Sequence, residues 1–174
     1  MLKYALYNYI PQRYLKRASF EEKDLDRKIL DFKDGRRYAA KWAAREMARS
    51  LALMDLSDTV IVCIPASCKR TNSIRFKWFA EELSNRLGAI NGFNHIAVYG
   101  NRKKAHITHE HVLADGSNEN FHIDEDFFRG KNVIVVDDIC TTCKTANAFI
   151  ERMQSVGANV RMALFLAKTK YYKH

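Results

Sequence analysis

The sequence predicts an α/β fold built on a parallel sheet, and three observations carry that expectation. Two short, continuous, β-branched runs, Thr59–Ile64 and Val133–Val136, read as strands buried on both faces. Amphipathic stretches with helical spacing alternate with them. A polar, His-rich, weakly patterned segment over residues 100–129 interrupts the alternation as a separate excursion.

In chain order, Ser19 with Glu22 three residues on is a capping-box signature, and Leu25, Ile29 and Phe32 then recur on one helical face. Asp34-Gly35 breaks that helix. A second helix is predicted from about Arg36 to Met54, with Ala40, Ala43, Met47 and Leu51 inward. The strand at Thr59–Ile64 leads into a polar, basic loop from Pro65 to Ser73. A helix with Ile74, Trp78, Leu83 and Leu87 inward follows, closing near Gly88. His95–Tyr99 reads as a short strand, and residues 100–129 hold two more at most. After Val133–Val136 comes a helix from about Lys144 to Val156, apolar at Ala146, Phe149, Ile150 and Met153. Gly157 ends it, and Val160–Leu166 is the final strand.

With 174 residues and no linker or internal repeat, one domain over 1–174 is expected. An apolar share of 47%, only seven Gly and two Pro exclude a collagen-like, low-complexity or disordered chain. No apolar stretch approaches a bilayer span, and MLKYALYNYIPQRY lacks the apolar run of a secretory signal, so a cytoplasmic protein without membrane partners is expected. Twenty-nine Lys and Arg against twenty Asp and Glu leave +9, which favours polyanionic partners without choosing among them. Cys63, Cys68, Cys140 and Cys143 are expected as reduced thiols.

The segment richest in chemistry is GKNVIVVDDICTTCKT, from Gly130 to Thr145. A buried strand delivers Asp137 and Asp138 to its carboxyl end, the edge at which open α/β sheets bind ligands. Hydroxyl side chains at the start of the next helix, beside its free N–H groups, suit a phosphate. Carboxylates accept from sugar hydroxyls or hold Mg²⁺ through water. Together these describe a site for a phosphorylated ribose. A P-loop NTPase would need an upstream G-x-x-x-x-G-K-[ST], which the sequence lacks. Simple helix capping by the threonines is the plainer alternative.

That segment resembles the phosphoribosyl-pyrophosphate (PRPP) motif of the type I phosphoribosyltransferases. ILDFKDGRRYAAKWAAREMA resembles the helix pair before the core of ComF-type, competence-associated members, and IPASCKRTNSIRFKWFAEEL resembles their pyrophosphate loop and the helix after it. The resemblance covers roughly residues 25–166. It implies a parallel-sheet phosphoribosyltransferase fold with N-terminal helices and a small hood at about 100–129. It also implies Mg²⁺-dependent transfer of the 5-phosphoribosyl group from PRPP to a small nitrogenous base, with release of pyrophosphate. Asp137 and Asp138 would contact the ribose hydroxyls and, indirectly, Mg²⁺. Thr141, Thr142, Cys143, Lys144 and Thr145 would hold the 5-phosphate, and Ser67, Lys69 and Arg70 the pyrophosphate. A homodimer is allowed for. Two departures stand out: Cys143 and Lys144 replace the small residues usual in this loop. No cysteine precedes Cys63, so the paired-cysteine zinc module of many ComF-type proteins is not expected.

A rival function keeps the fold as a non-catalytic module that binds single-stranded nucleic acid. Its footprint would be Arg37, Lys41, Arg45 and Arg49, a basic ridge at i, i+4, i+8 and i+12, although a solvated helix face is the preferred reading. His106, His109 and His111 with Glu110 do not share one face of an extended chain, so the hood suits them better than zinc. The two Cys-flanked loops raise reversible oxidation near the site, with incidental packing preferred.

Overall fold

The computed structural model describes residues 1–99 and 120–170. Five parallel strands form the main sheet in the order β1-β7-β6-β2-β3. They are β1 (Leu2–Tyr9), β2 (Thr59–Cys63), β3 (Ile90–Asn91), β6 (Asn132–Cys140) and β7 (Asn159–Thr169). A separate antiparallel pair joins β4 (Ile96–Val98), in the stretch expected as a short strand, to β5 (Phe121–Ile123), which falls within the residues 100–129 expected as the hood. The fold class expected from the sequence is the fold observed.

Helices cover both faces of the sheet. On one lie α1 (Phe20–Lys33), α2 (Arg37–Ser50) and α4 (Trp78–Leu87), which bury Ile29, Phe32, Met47, Phe79 and Leu83 against Ile61, Ile134, Val136 and Leu164. On the other, α6 (Lys144–Ser155) and the β4–β5 pair pack Phe149, Ile150, Met153 and Phe121 against Val60, Val133, Val135 and Phe165. Alternate residues of β6 therefore feed two separate cores, which explains why its sequence is apolar without interruption.

Local signals account for the helix ends. Ser19 accepts from the Glu22 N–H and the Glu22 carboxylate accepts from the Ser19 N–H, so the capping box is complete. Gly35 has φ +79°, and a Cβ there would collide with the Ile74 side chain, so only glycine permits this close α1–α2 turn. All four predicted inward residues of α6 are buried.

Several boundaries differ from expectation. α2 stops at Ser50 rather than Met54. The expected loop from Pro65 to Ser73 is shorter, because α3 (Lys69–Asn72) begins inside it and runs through a π-helical turn, Ser73–Lys77, into α4. The wider turn rotates the following side chains, so Ile74 is 53% exposed while Phe76 and Phe79 are fully buried. β1 carries no strand signal in its sequence, because as an edge strand paired only with β7 it keeps Leu2, Lys3 and Tyr4 in solvent. β3 and the short α5 (Glu125–Phe128) are likewise new. Residues 100–119, with the hood histidines and Glu110, lie outside the described residues. Among the described residues no helix is long and apolar enough to cross a membrane.

Candidate active site

A crevice opens where two neighbouring parallel strands send their helices to opposite faces. β6 leads through α6 on one face, whereas β2 leads through α3 and α4 on the other. β2 pairs with β6 only as far as Cys63↔Val136, and the last bond is donated by the Ile64 N–H to the Val136 carbonyl. β7 stays paired with β6 to Cys140↔Lys168. Asp137 and Asp138 thus occupy the stretch of β6 that has lost its β2 neighbour. A cleft of about 240 Å³ fills the gap, lined by Lys33, Pro65, Arg75, both aspartates and every residue from Ile139 to Ala146.

The floor of the cleft is the turn into α6. Cys143 occupies the position before the helix with φ +56°, ψ +15°, the one non-glycine residue with positive φ among the described residues. L-residues avoid this left-handed region because Cβ approaches the neighbouring carbonyl. A disulfide to Cys140, with Cα atoms 5.2 Å apart, ties the Cys143 sulfur to a buried side chain. The expectation of four reduced thiols is therefore corrected for this pair, while Cys63 and Cys68 are free. Thr141 and Thr142 lie between the bridged cysteines on the cleft surface, with Lys144 and Thr145 beside the first free N–H groups of the helix.

The two acids have different surroundings. Successive strand residues face opposite ways, so the carboxylates approach the cleft from different sides of β6. Asp138 is buried and its Oδ2 stands 2.9 Å from the Arg75 guanidinium. That close pair is not aligned as a hydrogen bond, and it leaves Oδ2 buried without a directed donor. Arg75 is anchored in turn by donating from Nε to the Lys33 carbonyl at the end of α1, 2.6 Å away. Asp137 accepts from the Asp138 N–H, 2.9 Å away. Loss of water around Asp137, and then the charge of Asp138, push its pKa well above the usual carboxylate range, against smaller opposing effects of that N–H, Arg75 and Lys33. Burial pushes the Cys63 thiol up as well, helped by the two aspartates.

The structure gathers Asp137, Asp138, Thr141, Thr142, Cys143, Lys144 and Thr145 around one cleft. It does not bring Ser67, Lys69 and Arg70 there. All three are exposed, and the wall of the cleft is formed by Ile64, Pro65 and Ala66 instead. Lys33 and Arg75, which line it together with Lys144, were not singled out in the sequence, because their place depends on the α1 terminus and the π-helical turn. Asn120 ties the hood side to this wall by donating to the Ser67 carbonyl at 2.9 Å. The basic ridge of Arg37, Lys41, Arg45 and Arg49 is exposed on α2, and none of the four lines the cleft. Arg37 rests on the Trp78 ring, 4.9 Å from its centroid, and Arg45 and Arg49 flank Glu46 at 3.2 and 3.6 Å.

Magnesium can be tested against the donors present. Among the described residues no group of three or more His, Cys, Asp or Glu side chains is placed to hold a metal ion. Two adjacent carboxylates, one with an oxygen lacking a directed donor, fit the way Mg²⁺ is held through water and substrate phosphates.

Comparisons with known proteins bear on this geometry. Residues 36–174 match the family described as Phosphoribosyl transferase domain. Among curated proteins none matches. Of solved structures, the chain is similar to UMP synthase of Leishmania donovani at 18% identity and TM-score 0.44, covering 75% of this chain and 22% of that one. It is similar to a purine phosphoribosyltransferase of Pyrococcus horikoshii Ot3 at 20% identity and TM-score 0.37, covering 76% and 82%. A hypothetical protein of Neisseria gonorrhoeae with bound ppGpp matches at 15% identity and TM-score 0.38, covering 98% of this chain and 77% of that one. The chain thus spans about a fifth of the length of the first of these.

Proposed function

Since the chain belongs to the phosphoribosyl transferase domain family, we propose that it transfers the 5-phosphoribosyl group from PRPP to a nitrogenous base and releases pyrophosphate. The observation that carries the reading is the shared cleft: the acid pair on β6 and the hydroxyl-lined turn before α6 line one volume of about 240 Å³. Asp137 and Asp138 accept from the ribose hydroxyls. The 5-phosphate lies on Thr141, Thr142 and Thr145 and the N-terminal N–H groups of α6, with Lys144 adding positive charge. Arg75 and Lys33 face the anionic leaving group, whose charge grows as the anomeric bond breaks. This assignment moves the pyrophosphate contact from Ser67, Lys69 and Arg70 to Arg75 and Lys33, which line the cleft. Mg²⁺, held through water by Asp137 and Asp138, would neutralise the diphosphate when bound. A covered site would keep water from the activated sugar. Within the family, the helix pair and the loop after β2 favour the ComF-type branch.

Calorimetry with PRPP and Mg²⁺, followed by pyrophosphate release across purines, pyrimidines and orotate, tests the reading. Micromolar binding and turnover with one base are expected. Absence of PRPP binding overturns it. Tight single-stranded DNA binding with a log–log salt slope of about −3 would then favour the ridge on α2. That rival is the weaker, because Lys41 is the only one of the four ridge cations without a side-chain partner among the described residues.

A further inference from the structure

A second cavity, of about 550 Å³ and sharing no residue with the cleft, lies between the end of β1 and the middle of α1. Tyr9 and Ile10 bring it to the carboxyl edge of the parallel sheet, the edge from which β6 presents its aspartates. Leu15, from the 3₁₀ turn after β1, and Leu30 of α1 complete an apolar lining. Set into this lining is Asp26, 3% exposed.

A carboxylate so far from water calls for a cation or several donors. Asp26 receives one: the Ile10 N–H, shared between its two oxygens at 3.0 and 3.1 Å. No cation pairs with it among the described residues. Of the cations lining the cavity, Arg27 pairs with Asp24 and Lys23 stands in solvent, while Lys170 beside Tyr9 pairs with Glu22. Asp31, also at the rim, accepts from the Tyr38 hydroxyl. Tyr9 lines the same space, and aromatic rings attract cations too.

We infer that this cavity binds a small planar organic cation, an amidine- or amine-bearing ring whose N–H donors meet Asp26 while its body packs on Tyr9, Leu15 and Leu30. The site is independent of the proposed phosphoribosyl transfer. Asp26 and Leu30 share an α1 face with Lys33 of the cleft, seven residues or about 10 Å along the axis from Asp26, so the two sites adjoin without overlapping.

Benzamidine and its neutral isostere benzamide are the probes, titrated into the full chain and followed by amide chemical shifts. Benzamidine should saturate with Kd of about 1 mM or tighter, a strength within reach of a ligand of this size. Benzamide should bind about tenfold more weakly, as expected when a charged hydrogen bond is lost. Shifts should centre on Ile10, Asp26 and Leu30, and PRPP should not compete. Leu30→Trp, at a half-exposed position, should block both probes while leaving the fold intact. Asp26→Asn should abolish the preference for the cation. Equal binding of both probes, unchanged binding in Leu30→Trp, competition by PRPP, or no saturation overturns the inference. The fate of PRPP binding is read separately in the same samples.

Discussion

The turn after β6 and the segment after β2 border the same cleft, yet they reach it by different routes. The first is contiguous in sequence: Asp137 to Thr145 is one uninterrupted stretch, and every residue in it lines the cleft. The second is a composite. The basic residues expected there, Lys69 and Arg70, stay outside, and its working cation, Arg75, arrives from a π-helical turn locked by the α1 terminus. A strand and the turn after it place their residues by local geometry, whereas a cation on a neighbouring helix depends on helix phase and packing.

The largest effect should come from the contiguous wall. Asp137→Asn with Asp138→Asn should weaken PRPP binding by about 100-fold or more, from two lost charged hydrogen bonds, with circular dichroism unchanged. Unchanged affinity would remove the ribose contacts from β6.

Arg75→Ala tests the composite wall. It leaves Asp138 buried without its cation, which should cost about 3 kcal/mol, or about 8 °C in Tm. Arg75→Lys should recover part of that stability but less of the pyrophosphate affinity, since a point charge cannot hold both Asp138 and the Lys33 carbonyl. A full recovery of both by lysine would show that only charge matters there.

Asp137 gives the comparison a pH axis. Its folded pKa lies well above the unfolded value, so the folded state binds more protons between the two. Stability should therefore fall as pH rises from about 4 through the folded pKa, and Asp137→Asn should flatten that part of the Tm–pH curve. A steeper fall in the variant would contradict the burial of this carboxyl.

A smaller change is expected at Cys143. In reducing buffer, Cys143→Gly should raise Tm by about 3 °C, relieving roughly 1 kcal/mol of left-handed strain, and should preserve PRPP affinity. A lower Tm would mean that packing of the sulfur outweighs the strain. The smallest effect belongs to Lys69→Ala with Arg70→Ala: because both are exposed outside the cleft, pyrophosphate affinity should drop about threefold at low salt, and this difference from the wild type should shrink as salt is added. A loss exceeding that of Arg75→Ala would return the pyrophosphate to the loop after β2.

Much of the fold was readable because burial leaves a periodic trace. Continuous Val and Ile at β2 and β6 marked strands with a core on each side, and Ser19 with Glu22 marked the start of α1. β1 left no such trace, since this edge strand, paired only with β7, leaves none of its side chains fully buried. The inward face before α4 was misjudged at Ile74 because one wide turn advances the phase, and no residue type announces a π-helical turn.

What the amino-acid order determined alone was the alternation of strands and helices and the acid–hydroxyl segment after β6, for both depend on residues a few positions apart. What the tertiary structure decided was the pairing of Asp138 with Arg75, sixty-three positions away by number, and the placing of Asp26 beside an apolar cavity. Those depend on how sheet edge and helix ends converge in space, and charge complementarity across such distances leaves no periodic mark along the chain.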